Sequence, residues 1–165
     1  MTICKILGLG NPQLYKQSST VTQSDLELVS QTVHDLHDTM MDFRKKYGVG
    51  RAIAAPQIGV MKRIIYMHID KPVVFLNPTL KNLSEEMIEL WDDCMCFPGL
   101  LVRVKRHKCC AIEYRDQEWN LKVMDLEDDL SELLQHECDH LDGILAVMRA
   151  IDGRSFAYRD QVPKD

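Results

Sequence analysis

The sequence has no apolar run near the ~20 residues a helix needs to cross a bilayer, which excludes a helical membrane span. It has no excess of base either: 20 Lys and Arg stand against 25 Asp and Glu, a formal charge of −5, with no basic block. Extended nucleic-acid binding is therefore excluded, because nothing supplies a phosphate-neutralising field. The first residues, Met1-Thr2-Ile3-Cys4-Lys5-Ile6-Leu7-Gly8, lack the basic leader and apolar core of an export signal. They also lack the Arg- and Ser-rich, acid-poor character of a transit peptide. Cytoplasm is the expected compartment, with an organelle left open. The six cysteines (Cys4, Cys94, Cys96, Cys109, Cys110 and Cys138) then read as thiols. No repeat, linker or low-complexity stretch divides the 165 residues, so one domain is expected. A globule of this length buries roughly 68–70% of its unfolded surface and needs no disulfide staple.

What is present is an α+β pattern. Residues 1–23 read as an irregular arm with a turn at Gly10-Asn11-Pro12. Ser24 and Glu27 form a capping-box pair, and behind them Leu26, Val29, Val33, Leu36, Met40, Phe43 and Tyr47 recur at steps of three and four. This predicts one long N-terminal helix over 25–47, stopped by Gly48 and Gly50; His34 and His37 flank its stripe as ordinary polar residues. Short β-rich runs follow at 63–69, 73–77, 86–91, 100–105, 110–115 and 121–124, in antiparallel or mixed pairing. Pro78 and Pro98 are expected at strand ends or edges, since neither can donate to a ladder. A second helix begins at an Asp128 or Asp129 cap, carries Leu130, Leu133, Leu134, Cys138 and Leu141 inward, and stops at Gly143. The tail, 151–165, is polar and expected to be only partly ordered.

The second helix holds the chemistry. It reads Gln135-His136-Glu137-Cys138-Asp139-His140, an H-E-x-x-H pattern. His136 and His140 project from one face, one turn apart, and can grip a single cation. Glu137 can reach a water on that cation without ligating it. Two histidines leave a catalytic metal one protein ligand short. After His140 come Leu141, Asp142, Gly143 and Ile144, so no third histidine follows. Cys94, in Trp91-Asp92-Asp93-Cys94-Met95-Cys96-Phe97-Pro98-Gly99, is the leading candidate, and Cys96 is its competitor. Two residues apart on an extended segment means opposite faces, so only one of them can point at the metal.

These motifs resemble the peptide deformylases, whose patterns are G-x-G-[LI]-A-A-x-Q, E-G-C-L-S and Q-H-E-x-D-H. The third is matched in full by 135–140. The first appears as Gly50-Arg51-Ala52-Ile53-Ala54-Ala55-Pro56-Gln57 and the second as Asp92-Asp93-Cys94-Met95-Cys96. Gly10-Asn11-Pro12-Gln13-Leu14 resembles the family's opening G-[DN]-P-x-L, and Asn77-Pro78 its N-P turn. The likeness runs in order from about residue 6 to Arg149.

The resemblance implies a deformylase-like fold and a metallohydrolase that removes the N-formyl group from the N-terminal Met of nascent peptides. It implies one divalent metal held by Cys94, His136 and His140, with Fe²⁺ as the physiological ion and Zn²⁺ or Ni²⁺ as common occupants. It assigns Glu137 as general base on a metal-bound water, and the Gln57 side chain and Met95 backbone N–H as donors to the developing oxyanion. Gly50, Arg51, Ala52 and Asp93 fall at substrate-flanking positions. Ribosome association would suit an enzyme of nascent chains, although no basic cluster argues for it.

The departures gather at the same cleft. Ala52 and Asp93 replace glycines, Arg51 stands where small or apolar residues are usual, Asp92 replaces Glu, Cys96 replaces Ser, and Met148 replaces an Asp. Opposite charges at Arg51 and Asp93 suggest an ion pair across the cleft. Three readings follow: a working deformylase, a related amidase or restricted-substrate enzyme, and a non-catalytic homologue whose ion is structural. A fourth protein ligand closing the site, from Cys96 or Cys138, would mark the last.

Overall fold

The computed structural model describes residues 2–162, so the last part of the expected polar tail lies outside the described residues. Helix α1 spans Leu26–Tyr47 and buries Val29, Leu36, Met40 and Phe43, as its stripe requires. Its start differs from expectation. A 3₁₀ turn, Gln23–Asp25, precedes it, so the capping box is closed by Thr22 and Asp25 rather than Ser24 and Glu27; the Thr22 N–H donates to Asp25 Oδ2 at 2.8 Å. Gly48 ends the helix with φ 72°, its N–H donating to the Arg44 carbonyl at 2.8 Å.

A five-stranded antiparallel sheet runs in the order β1 (Ala52–Ala54), β2 (Ile64–His68), β3 (Pro72–Lys81), β6 (Cys109–Arg115), β7 (Leu121–Glu127). A second sheet joins β4 (Met87–Asp93), β5 (Leu100–His107) and β8 (Phe156–Tyr158). The first sheet lies between the two helices. Along β2, Ile65 and Met67 pack with Phe75, Ile112 and the Leu134 of helix α2 (Asp128–Leu141), whereas Ile64 and Tyr66 pack with Leu36 and Met40 of α1. Burial on both faces explains why β2 is an unbroken apolar run instead of an alternation. A third apolar cluster, including Leu14, Phe97, Val102, Val104 and Leu145, fills the space behind the second sheet.

Two strands were not expected. β1 has only three residues, two of them alanine; it exists because Ala52, Ile53 and Ala54 pair with Met67, Tyr66 and Ile65. β8 gives the polar tail a fixed place, with Tyr158, Ala157 and Phe156 opposite Leu100, Leu101 and Val102. Pro78 is not at a strand end but inside β3. It is accommodated by a register shift between Leu76 and Thr79, with Asn77 at φ 49°. The Asn77 amide binds both the N–H and the carbonyl of Val21, at 2.7 and 2.8 Å, so this bulge also anchors the N-terminal arm.

The arm reaches the end of α2. That helix begins at Asp128, with Glu127 rather than Asp128 or Asp129 in the cap position. Beyond its last residue, Gly143 sits at φ +73°, and a Cβ there would lie 2.6 Å from the carbonyl carbon and oxygen of Tyr15. Both the backbone conformation and the contact therefore require glycine. Gly143→Ala is expected to lower stability by about 2 kcal/mol or more, read as a shift in the urea midpoint. A shift near zero would mean that the arm does not press on this turn.

Candidate active site

Helix α2 places His136 and Glu137 at the floor of a cavity of about 760 Å³, with His140 buried one turn further on. The end of β4 and the turn after it bring in Asp92, Asp93, Cys94 and Met95. The short turn after β1, 55–58, supplies Gln57. Sγ of Cys94 and one ring nitrogen each of His136 and His140 all fall within 4.8 Å of one another, all three residues buried. Cys94 Sγ is 3.3 Å from His140 Nε2. The rings of His136 and His140 are 4.9 Å apart at 72°.

The chemistry of this donor set fits a divalent transition metal. His136 Nδ1 lies 2.9 Å from Asp92 Oδ1, which fixes Nδ1 as the protonated nitrogen and leaves Nε2 free to ligate. Glu137 Oε2 is buried and, among the described residues, has no hydrogen-bond partner. An orphaned buried carboxylate oxygen beside three convergent donor side chains fits a site for a cation and its water.

In the metal-free chain burial and the neighbouring charges shift each of these groups, and a bound cation would displace the protons of His136 and Cys94. Burial pushes the Glu137 carboxyl up to about 7, partly offset by the charge of His136. Burial resists charging His136, but Asp92 overrides it and raises the imidazole to about 9. Burial likewise opposes the Asp92 carboxylate, yet His136 and Arg106 hold it at about 2. Burial drives His140 well below the usual imidazole value, and the positive His136 adds to this, leaving a neutral ligand. Burial raises the Cys94 thiol; a bound cation would reverse that by favouring the thiolate.

Gln57 is held in place at both ends. Its Oε1 accepts from the Ala54 N–H at 2.8 Å, and its Nε2 points to Cys96 Sγ and Cys94 Sγ at 3.6 and 3.8 Å. Among the described residues the Met95 N–H has no protein acceptor. The arm buttresses this corner: the N–H groups of Leu7 and Leu9 donate to the carbonyls of Gln57 and Cys96 at 2.8 and 2.9 Å. Gly50, at φ +131°, lies against Met95, whose Cε would be 3.0 Å from an added Cβ. Ala52 is buried in β1, and its neighbour Arg51 lines the cavity.

Two expectations at the cleft are corrected. Arg51 does not pair with Asp93. Its guanidinium binds Glu132, one turn before His136 on α2, with Asp129 at 3.9 Å, while Asp93 binds Arg159 at 2.5 Å. Each charge had a nearer partner that only the folded chain supplies. Nor do Cys94 and Cys96 face opposite ways. The chain turns at this point, with the Phe97 N–H donating to the Cys94 carbonyl at 3.1 Å, so both sulfurs reach Gln57. Of the two, only Cys94 belongs to the Cys94–His136–His140 group that could hold a metal ion. Cys138 is a core residue, packed among Leu134, Leu141 and Ile112.

A buried polar network behind the ligands had no part in the sequence reading. Arg106 donates to Asp92 at 2.8 Å and to Asp139 at 2.5 Å, and Arg149 binds the far side of Asp139 at 2.7 Å. The signal was present in β5, where Val102, Val104 and Arg106 share the inward register and Arg103 and Lys105 face out. A charge in an inward position needs buried partners. Gln135 completes the support. Its amide accepts from the His107 N–H at 3.0 Å and donates to the His107 carbonyl at 2.8 Å, tying α2 to the end of β5.

Among the described residues no helix is long and apolar enough to cross a membrane. The family profile described as polypeptide deformylase matches residues 3–155. Peptide deformylase 1 of Prochlorococcus marinus is 34% identical, over 98% of this chain and 88% of that one. The crystal structure of peptide deformylase from Thermotoga maritima superposes with a TM-score of 0.84 at 28% identity, covering 92% of this chain and 100% of that one. A peptide deformylase from Synechococcus elongatus, solved in complex with actinonin, gives 0.83 at 26% identity, covering 91% and 80%. Profile, relatives and fold agree, and the chain belongs to the peptide deformylase family.

Proposed function

We propose that this chain hydrolyses the formyl amide at the N-terminus of formyl-methionyl peptides, the class of nascent chains, releasing formate and a free amine. The observation that carries this reading is the unpartnered Glu137 carboxylate oxygen beside the Cys94–His136–His140 triangle, at the floor of a cavity. Those three residues would hold one divalent ion, Fe²⁺ in the cell with Zn²⁺ or Ni²⁺ as substitutes. When bound, such an ion would supply Lewis acidity toward the formyl oxygen and water.

The protein's own groups do the rest. Glu137 takes the proton of the attacking water and returns it to the leaving nitrogen. The Gln57 Nε2–H and the Met95 N–H stabilise the charge that gathers on the formyl oxygen. Asp92 keeps His136 in the tautomer that presents Nε2. Gly50, Arg51, Ala52 and Asp93 flank the peptide. The cytoplasm is the proposed site of action. The reading as a structural ion site is disfavoured because, among the described residues, the triangle has three ligands and no fourth.

The test is anaerobic loading with Fe²⁺, followed by formate release from a formyl-Met peptide and metal content on the same sample. Cys94→Ser should lose the metal and all turnover, whereas Cys96→Ser should keep a full complement of metal. A fully loaded protein that releases no formate would overturn the proposal. Equal metal loss from both variants would mean that the wrong sulfur has been assigned.

A further inference from the structure

The wall of the cavity carries arginines as well as the carboxylates of Asp92, Asp93, Glu132 and Glu137. Arg44, Arg51 and Arg159 all line it. Arg51 is paired with Glu132, whose side chain is only 12% exposed, while that of Arg51 is 42% exposed. Glu132 thus occupies the Nη2 edge of the guanidinium, the solvent-exposed Asp129 stands 3.9 Å from Nη1, and the rest of the group is open to the cavity. Arg159 is paired with Asp93 on the opposite strand end. Arg44 is different. Its Nε and Nη2 donate to the carbonyls of Gly50 and His68, at 2.9 and 2.6 Å, and among the described residues no carboxylate pairs with it. The two carbonyls that Arg44 holds flank Arg51 in space, since the His68 N–H donates to the Arg51 carbonyl at 2.9 Å. Arg44 and Arg51 therefore rise from one corner, where β1 begins and β2 ends. Glu132 and the exposed Asp129 both answer Arg51; among the described residues Arg44 has no carboxylate of its own, and several guanidinium N–H donors are left without a protein acceptor.

We propose that this corner selects formyl peptides bearing a carboxylate beyond the first residue, with Arg51 and Arg44 as the groups that read it. The inference rests on the deformylase reading and narrows its substrate class. Guanidinium donors match a carboxylate in geometry as well as charge. The carboxylate can be the C-terminus of a short peptide or an acidic side chain on a longer one; both present the same anion. Glu132 sets the strength of the preference, because it neutralises Arg51 from behind. Its removal should strengthen the preference, and removal of Arg51 should weaken it. Misfolding would not give effects of opposite sign.

The test measures binding of deformylated peptides to the metal-loaded protein by calorimetry, so it does not depend on turnover. The probes are Met-Ala-Ala as free acid, the same peptide as amide, Met-Asp-Ala amide and Met-Lys-Ala amide. The carboxylate peptides should bind about tenfold tighter than the neutral amide, and Met-Lys-Ala amide more weakly than it. The margin should shrink with added salt. Arg51→Gln should erase most of the margin and Glu132→Gln should widen it. Tighter binding of only the free acid assigns the C-terminal source, and tighter binding of only the Asp peptide assigns the side chain; either supports the proposal. Equal binding of all four, or a margin unmoved by both substitutions, overturns it. Formate release from the formylated counterparts is scored separately. A charge preference without formate release would sink the deformylase reading and leave a carboxylate-binding cavity, whereas formate release without the preference would sink only this inference.

Discussion

Arg106→Leu should destabilise the protein by about 3–5 kcal/mol, the cost of leaving buried charges without their partner. The Arg106 side chain is 3% exposed, and its two partners, Asp92 and Asp139, are 4% and 11% exposed. Water cannot replace the guanidinium there. Asp92 would retain only His136, and Asp139 only Arg149, which approaches from the half-exposed side. The damage should also reach the ligands. Asp92 holds His136 by its ring N–H, so a displaced Asp92 misorients the imidazole, and loss of such an outer partner typically weakens a metal site by about 10–100-fold. Urea titration of the metal-free protein reads the first effect and competition with a chelator reads the second. Arg106→Lys keeps one charge but not the two-armed contact, so it should recover part of the stability. A midpoint for Arg106→Leu within about 1 kcal/mol of the parent would show that the network contributes little to folding.

The contrast between Arg106 and Arg51 shows what can be read from a chain of residues. The α+β class, the long helix and the pair of candidate histidines follow from local rules: a stripe at helical spacing, and two histidines one turn apart with Glu137 between them; Cys94 over Cys96 is what the family resemblance implies. Arg106 was equally visible in principle, because β5 alternates and an arginine falls on its inward side, but its partners lie on β4 and α2. Arg51 and Asp93 were paired on charge alone. The fold instead offers Arg51 a glutamate on α2 and offers Asp93 an arginine that β8 brings back from the tail. β1 and β8 carry no strand signal of their own for a related reason. Three residues carry too little periodicity to signal a strand, and both exist because a longer neighbour supplies the ladder. The cysteine pair failed on geometry: alternation holds only while the chain stays extended, and it turns at Cys94.

Glu137→Gln should lower kcat/KM by about 10²–10⁴-fold while leaving metal content unchanged, because the amide cannot accept the water's proton. The substitution removes one charge and keeps the side chain's size, so a fold-wide effect would not mimic it. The pH profile separates the roles further. In the parent, activity should fall on the acid side as Glu137 is protonated. Burial, partly offset by the charge of His136, places that carboxyl at about 7 in the metal-free chain, and a cation beside it would pull the value down, so the limb should lie below neutral. In the variant the acid limb attributable to this group should vanish. Stability gives a second, independent reading in the metal-free protein. A carboxyl raised from 4.5 to about 7 makes its contribution fully below the unfolded value and loses it as the pH rises through the folded one. The parent should therefore lose ground to the variant between pH 4.5 and about 7, measured as diverging urea midpoints. A variant that retains turnover within about tenfold would mean that the proton is taken elsewhere. Equal pH dependence of the two midpoints would mean that the carboxylate is solvated. Either result would remove the reason for placing the chemistry on this residue. Joint success would show the same burial that destabilises the resting chain tuning the group that moves the proton.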